Sequence, residues 1–476
     1  MASDGASGSL LFEFSHLSRS LGADLHCHGN SPAGFSSVSI DSRTVQEGAL
    51  FVALAGAVCD GHGFVEAAFQ GGAVAALVQR QCIETFNLVP IAEKHGKTLI
   101  AVDDTLRGLQ DAARLYLKKF PGLLKIGITG SSGKTTTKEI AAAIIGAEKN
   151  VVMNPGNYNS ETGLPLAVFG VRSCHEVGLF EAGMNRQGEI ADLASVLEPH
   201  VALITNIGTA HIGILGSIDA IAKEKKEIFS HFTGDCVALI PEDSSFREYL
   251  AEGVKGRVSF YGERSFAELG GVRSMGLDGS EITWEGQRIR FALPGRHNLA
   301  NALAAIAAAR ELPVGAQAIR QGLESVKPLF GRGEILRGRV TVIRDCYNSN
   351  PESLAEAVQF CESLDWQGRR LYVIGDMLEL GDNSRQAHEA AGRLLATTAA
   401  DKVFLYGNEA RATAKVLSVG APDRCFHTSD MGELSRALGA YVQSGDLVLL
   451  KGSRGCALER VCDVLVCTEN VVEGAA

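Results

Sequence analysis

The feature that most constrains this chain is the run Ile128-Thr129-Gly130-Ser131-Ser132-Gly133-Lys134-Thr135-Thr136, placed between an apolar strand-like stretch at 124–129 and a helical stretch reaching to about residue 147. A strand, a Gly/Ser loop ending in Lys-Thr and a helix form a phosphate cradle. The glycines turn backbone N–H groups toward an anion, the lysine reaches the outer phosphates, and the threonine hydroxyl suits a magnesium ion. The usual pattern carries glycine where Ile128 stands, so the loop is a variant. A plain Gly/Ser turn with an exposed lysine is the bland alternative. A guanine-nucleotide switch is another, but no Asn-Lys-x-Asp motif follows.

At 476 residues the chain is long enough for about three domains. Composition is that of a globular protein, 46% hydrophobic and 21% charged. Glycine is in excess, 54 of 476 residues, which suits tight turns and close backbone approach to a ligand. A net charge of −10 argues against a nucleic-acid partner, so an anionic ligand must be held by local cations. No apolar run reaches a membrane span, and residues 1–11 lack the basic flank and long apolar core of a secretory signal. A cytoplasmic monomer is the expectation. The eleven cysteines are scattered without zinc spacing, so reduced thiols are expected, and the neighbours His26, Cys27 and His28 point in different directions without a second cluster to complete a metal site.

Pattern changes divide the chain. Short strands are expected at 38–41, 49–54 and 99–102, with a helical pattern at 106–120 ending at Pro121. From 124 to about 312, apolar strands at 177–180, 201–206 and 236–240 alternate with helical stretches, the grammar of a mainly parallel sheet. Strands at 340–344, 371–374, 402–406 and 447–450 repeat it. The reading is α/β in three domains: a small N-terminal domain at 1–104, a central phosphate-loop domain at 105–313 and a Rossmann-like domain at 314–476.

Ligands in such sheets gather at the carboxyl ends of strands, where Glu181 and His211 fall. A carboxylate and an imidazole can both serve a nucleotide's magnesium, although the ion prefers oxygen, and either residue could equally be structural. Lys225 is more informative. On a helix at 217–229 it sits within an apolar stripe of Ile218, Ile221, Ala222, Ile228 and Phe229, while Lys223, Glu224, Lys226 and Glu227 take the solvated face. It is either a snorkelling lysine or one that loses its positive charge, and carbamylation by carbon dioxide would turn it into an anion able to bridge two magnesium ions.

Taken together, the chain resembles the Mur ligase family over nearly its whole length. The motifs that carry the likeness are 129–136, Asn157-Tyr158-Asn159 leading to Gly163-Leu164-Pro165-Leu166, Glu181-Ala182-Gly183-Met184-Asn185 and 205–211. Further on come Gly295-Arg296-His297-Asn298 with Asn301, Gly331-Arg332-Gly333-Glu334, and 345–351. Gly375-Asp376-Met377-Leu378-Glu379-Leu380-Gly381 and Lys451-Gly452-Ser453-Arg454-Gly455 point to the branch that adds D-alanyl-D-alanine to a UDP-N-acetylmuramoyl-tripeptide. The branch that adds the third amino acid carries an Asp-Asn-Pro-Arg motif, which is absent here.

The resemblance implies an ADP-forming ligase in peptidoglycan precursor synthesis, working through an acyl phosphate with ATP and two magnesium ions. It implies that Gly130, Ser131, Ser132, Gly133, Lys134, Thr135 and Thr136 cradle the phosphates, that Lys134 meets the transferred group, and that Thr135, Glu181, His211 and a carbamylated Lys225 hold magnesium. Asn301 and Arg332 would hold ATP, with Asp345 and Tyr347 at its ribose and base. Ser42, Arg43, Asp60 and His62 would seat the uridine nucleotide, and Asn157 and Asn159 would line the acceptor channel. Ser160 and Cys346 depart from the family's usual asparagine and serine. Asn301 as a turn cap, Arg332 as a surface arginine, residues 345–348 as a plain turn, and Asp376 and His388 as capping residues are the structural alternatives. A folylpolyglutamate synthase-like ligase and a non-catalytic nucleotide switch are the competing functions.

Overall fold

The computed structural model describes residues 10–29, 32–56 and 59–466. The extreme ends of the first and last expected domains lie outside them. The fold is α/β, with mainly parallel sheets. The chain packs into two units, one holding residues up to 125, 150–184 and 191–199, the other 126–149, 185–190 and 200 onward. The stretch 105–313 contributes to both.

The first unit contains a five-stranded sheet in the order Asp24–Cys27, Thr98–Val102, Ala75–Gln79, Ala49–Val52, Ser37–Ser39. Its pairs are parallel except at Asp24–Cys27. The three inner strands are buried throughout or nearly so, which is why they read as unbroken apolar runs. Phe51, Val65, Phe69, Leu88 and Leu99 fill one core. The helix at 106–120 is found at Thr105–Leu117, started by Asp104, whose carboxylate accepts from the N–H groups of Leu106 and Arg107. Val151–Met153 and Val177–Glu181 pair in parallel in the same unit.

In the second unit Leu124–Thr129 pairs in parallel with Val201–Ile204, followed by Val237–Pro241 and Arg257–Tyr261. The helix after the phosphate loop, Lys134–Ile145, is covered by Arg296–Arg310 and Ala316–Ser325. The C-terminal sheet runs Glu334–Arg337, Thr341–Asp345, Leu447–Lys451, Arg370–Gly375, Lys402–Tyr406, Cys425–Thr428, parallel but for its first pair. Separate apolar clusters bury its two faces, the doubly covered arrangement of a Rossmann-like sheet.

Three departures from the sequence reading have simple causes. Leu269–Ser274, Ser280–Trp284 and Gln287–Phe291 form an antiparallel sheet that interrupts the parallel grammar, and their frequent polar residues hid them. Glu334–Arg337 and Cys425–Thr428 are short edge strands without a fully buried run. The lysine-bearing helix spans Ile218–Lys226 and tightens to a 3-10 turn at Glu227–Phe229.

Among the described residues no helix is long and apolar enough to cross a membrane, and all ten cysteines are free. Burial pushes the Cys346 thiol up to about 12, with the Glu459 carboxylate adding to it.

Gly322 lies where Ala316–Ser325 meets Lys134–Ile145, and a Cβ there would sit 2.3 Å from the Ile144 Cα. Gly322→Ala gains about 1 kcal/mol of helix propensity but forces two packed backbones apart, so a net loss of roughly 1–3 kcal/mol is expected. Thermal denaturation should show a lower melting temperature; an unchanged or raised one would show that the two helices are not held this closely.

Candidate active site

The phosphate loop begins where Thr129 ends its strand, opposite Ile204 in the register. Residues 205–206 therefore run beside 130–132 and brace them. The Asn206 Oδ1 accepts from the N–H groups of Ser131 and Ser132 at 3.1 and 2.9 Å. Its Nδ2 donates to the Ser132 hydroxyl at 2.6 Å, and the Thr205 hydroxyl donates to the Ser132 carbonyl at 2.6 Å. Gly130, at φ 148°, has no room for a side chain, since a Cβ would sit 1.9 Å from the Thr205 Oγ1.

Gly133, at φ 78°, is the residue before Lys134–Ile145, and its Cα faces the side-chain oxygen of Asn301. Asn301 is buried within Arg296–Arg310, and its Oδ1 also accepts from the Thr137 hydroxyl at 3.3 Å. It is not a turn cap. The N-terminal N–H groups of the Lys134 helix and its dipole favour an anion in front of the loop. The Lys134 Nζ rests on the Gly130 carbonyl at 2.8 Å.

Lys225 is fully buried in the second unit. Burial, and then the charge of Lys134, hold its amine well below the usual lysine range, with Glu224 working weakly the other way. Snorkelling is thereby excluded. Glu224 corrects the sequence reading: it is buried rather than solvated, and its carboxylate accepts from the N–H groups of Gly188 and Ile190 at 2.8 and 3.0 Å, at the start of the helix Glu189–Leu197. Helical periodicity cannot register a neighbouring helix end that needs an acceptor.

His211 follows Val201–Ile204 in a left-handed conformation, φ 66°, and its Nδ1 lies 3.2 Å from the carboxylate of Glu379, itself left-handed at φ 68°. His211 beside it, with Lys134 beyond, holds the Glu379 carboxyl below the usual range against the opposing effect of burial. Nearby, Glu352 accepts from the N–H and the hydroxyl of Thr209 at 3.0 and 2.8 Å. Thr205, Asn206 and Glu379 lie within the family motifs, but nothing local in the sequence links them to these partners. Their signal was position alone, at strand ends.

The C-terminal part of the same unit presents Arg332 stacked over the Tyr347 ring at 4.0 Å, and Asp345 3.2 Å from the buried Lys451, which also donates to the Asn348 carbonyl at 2.5 Å. Arg332 is thus held by an aromatic face, and Asp345 by an ion pair. Asp376 and His388 are structural. The Asp376 carboxylate accepts from the N–H groups of Asn408 and Ala410, and His388 accepts from the Met377 N–H while its Nδ1 meets the Ser384 carbonyl.

The first unit carries the other candidates. Glu181, the last residue of its strand, is buried; its side chain accepts from the Asn159 Nδ2 at 2.6 Å, and Asn154 bonds its backbone on both sides. Asn157 is exposed. Arg43 grips Asp41 with two nitrogens at 2.9 and 2.7 Å, holding that carboxyl at about 2, and Ser42 lies between them. Asp60, His62 and Cys82 bring three possible metal-ligand atoms within 4.8 Å of one another. The imidazole has no lone pair to give: its Nε2 accepts from the Gln79 N–H at 2.8 Å, which puts the proton on Nδ1, 2.6 Å from Asp60. His62 is buried and fixes the loop that displays Asp60.

Gly133→Ala places a methyl 2.2 Å from the Asn301 Oδ1 and strains a positive-φ position. Calorimetric titration should show ATP affinity falling at least about tenfold, the equivalent of 1.4 kcal/mol. Unchanged affinity would dissociate this loop from nucleotide binding.

Comparison with known proteins follows the same geography. Residues 35–117 match the Mur ligase family catalytic domain, 128–309 the Mur ligase middle domain, and 331–454 the Mur ligase glutamate ligase domain. A UDP-N-acetylmuramoyl-tripeptide–D-alanyl-D-alanine ligase of Treponema pallidum is 45% identical, covering 95% of this chain and 98% of its own. A crystal structure of MurF from Acinetobacter baumannii superposes with a TM-score of 0.84 at 28% identity, over 95% of this chain and 98% of that one. A MurF ligase from Thermotoga maritima in complex with ADP gives 0.76 at 28% identity, over 90% and 96%.

Proposed function

The chain belongs to the Mur ligase family, and on that premise we propose that it is the ADP-forming ligase that joins D-alanyl-D-alanine to UDP-N-acetylmuramoyl-tripeptide in peptidoglycan precursor synthesis. The observation that carries the donor is the 45% identity, along almost the entire chain, to a relative of that name. ATP use rests on the braced phosphate loop and on the ADP-bound neighbour. The enzyme works as a cytoplasmic monomer.

Joining a carboxylate to an amine requires the carboxylate to be activated. A tripeptide carboxylate oxygen attacks the γ-phosphorus of ATP, the bond to ADP breaks, and an acyl phosphate forms. The dipeptide nitrogen then attacks the acyl carbon, the carbon–oxygen bond to phosphate breaks, and phosphate and a proton leave. Two anions meet in the first step, so cations must gather them. Lys134 leaves its rest on the Gly130 carbonyl for the transferred phosphoryl group. Arg332 and Asn301 hold the nucleotide, and Asp345 and Tyr347 take its ribose and base. Ser42, Arg43, Asp60 and the loop pinned by His62 seat the uridine end, and Asn157 and Asn159 serve the acceptor. Glu352, accepting from the N–H and the hydroxyl of Thr209, draws the C-terminal part onto the phosphate loop and excludes water that would hydrolyse the acyl phosphate.

The donor set suits magnesium provided Lys225 is carbamylated. Thr135 and Glu181 offer oxygen, which magnesium prefers, His211 offers nitrogen, and an unmodified lysine offers nothing. A fully buried amine that desolvation and then Lys134 hold well below the usual lysine range is the more nucleophilic toward carbon dioxide, and it is placed where an anion is favoured. Within the second unit, Thr135, His211 and carbamylated Lys225 would be the magnesium ligands. Bound magnesium would neutralise phosphate charge during transfer.

ADP release with the UDP-linked tripeptide tests the donor. D-alanyl-D-alanine should stimulate it, and stimulation by glutamate alone would refute this reading in favour of a folylpolyglutamate synthase-like reaction. Lys225→Ala should lose roughly 10²- to 10³-fold in turnover, the scale of removing one group of an electrostatic site. A small added carboxylate should restore part of it. Activity lost and not restored at all would count against the carbamate.

A further inference from the structure

The amine donor raises a problem that the phosphate-binding machinery makes worse. An α-amino group with a pKa near 8 is mostly an ammonium ion at neutral pH. It must approach a region whose side chains, Lys134 and Arg332, are cationic because they hold anions. A negative group at the approach would offset that repulsion.

Glu379 has the placement for this. Its carboxylate lies 3.2 Å from His211, and its side chain is about half exposed (52%), so it can be reached from solvent. The surrounding loop is pinned from several directions. The Leu378 N–H donates to the Ser453 hydroxyl at 2.9 Å, the Ser453 N–H to the Asp376 carbonyl at 3.0 Å, and the Met377 N–H to His388 at 3.1 Å. Gly381 packs so tightly on Gly213 that a Cβ on Gly213 would lie 2.4 Å from its nitrogen.

Between these anchors Glu379 holds a left-handed backbone that costs a non-glycine residue about 1 kcal/mol or more, and glycine would relieve it. Helix capping does not explain the side chain, because the polar group it faces is the candidate metal-binding His211 rather than a helix end. What the left-handed backbone secures is the place of this carboxylate beside His211.

We infer that the Glu379 carboxylate binds the ammonium group of the incoming D-alanyl-D-alanine and holds it beside the phosphate loop. This rests on the ligase reading above and assigns the donor's amino end a residue. Glu379 is a substrate-binding residue in this scheme.

The test compares two nucleophiles on the full-length enzyme. Hydroxylamine is mostly uncharged at neutral pH and traps an acyl phosphate as a hydroxamate, so it needs no counter-ion. Glu379→Gln should raise the KM for D-alanyl-D-alanine roughly ten- to hundredfold, the value of a hydrogen bond to a charged group. The KM for ATP and the rate of hydroxamate formation should stay as in the unaltered enzyme. Glu379→Asp, which keeps the charge, should recover part of the loss. An unchanged dipeptide KM in Glu379→Gln overturns the inference while leaving the ligase reading intact. So does an equal loss of hydroxamate formation, which would make Glu379 a support for His211 or a metal ligand. An unaltered enzyme that forms hydroxamate but no product with D-alanyl-D-alanine overturns the donor assignment, and this inference with it.

Discussion

Desolvation and a neighbouring cation both act against the charge of a buried amine, and the chemistry of this protein follows from that constraint. Lys134 must keep its charge to meet phosphate. Lys225, fully buried, is pushed well below the usual lysine range by desolvation and then by the Lys134 charge. A buried amine shifted in this way, next to a fixed cation, invites an anion, whether carbamate or substrate. The same surplus of positive charge makes the site hospitable to a triphosphate and a carboxylate and hostile to an ammonium ion.

That electrostatic arrangement depends on polar side chains that bind no ligand. Asn206 and Thr205 hold the phosphate loop from the neighbouring strand end, and Asn301 closes on Gly133 from a helix more than 160 residues further along the chain. The loop is thus shaped before nucleotide arrives, which lowers the ordering cost of binding. Glu352 and Glu379 tie residues 209–211 to the C-terminal sheet, so the phosphate loop and the Arg332–Tyr347 pair belong to one packed unit.

Much of this was legible in the sequence. Strands at 124–129 and 402–406 were read to the residue, because both belong to parallel sheets and appear as continuous apolar runs. Lys225 stood out as a lysine in an apolar stripe. Glu224, one residue before it, was misplaced, because its partners are the N–H groups of Gly188 and Ile190, which no local pattern links to it. Both ring nitrogens of the buried His62 are engaged, by the Gln79 N–H and by Asp60, and a histidine in a sequence does not disclose such partners.

The amino-acid sequence by itself determined the α/β class, the phosphate loop and the family. Those depend on residues near one another in the chain, on glycine's freedom at positive φ and on the period of burial. Only the tertiary structure decided that Lys225 is wholly buried within reach of the Lys134 charge, that Glu224 caps a neighbouring helix, and that Glu379 faces His211. Each of these is a relation between segments far apart in sequence, and burial and electrostatic fields arise only once those segments are packed together.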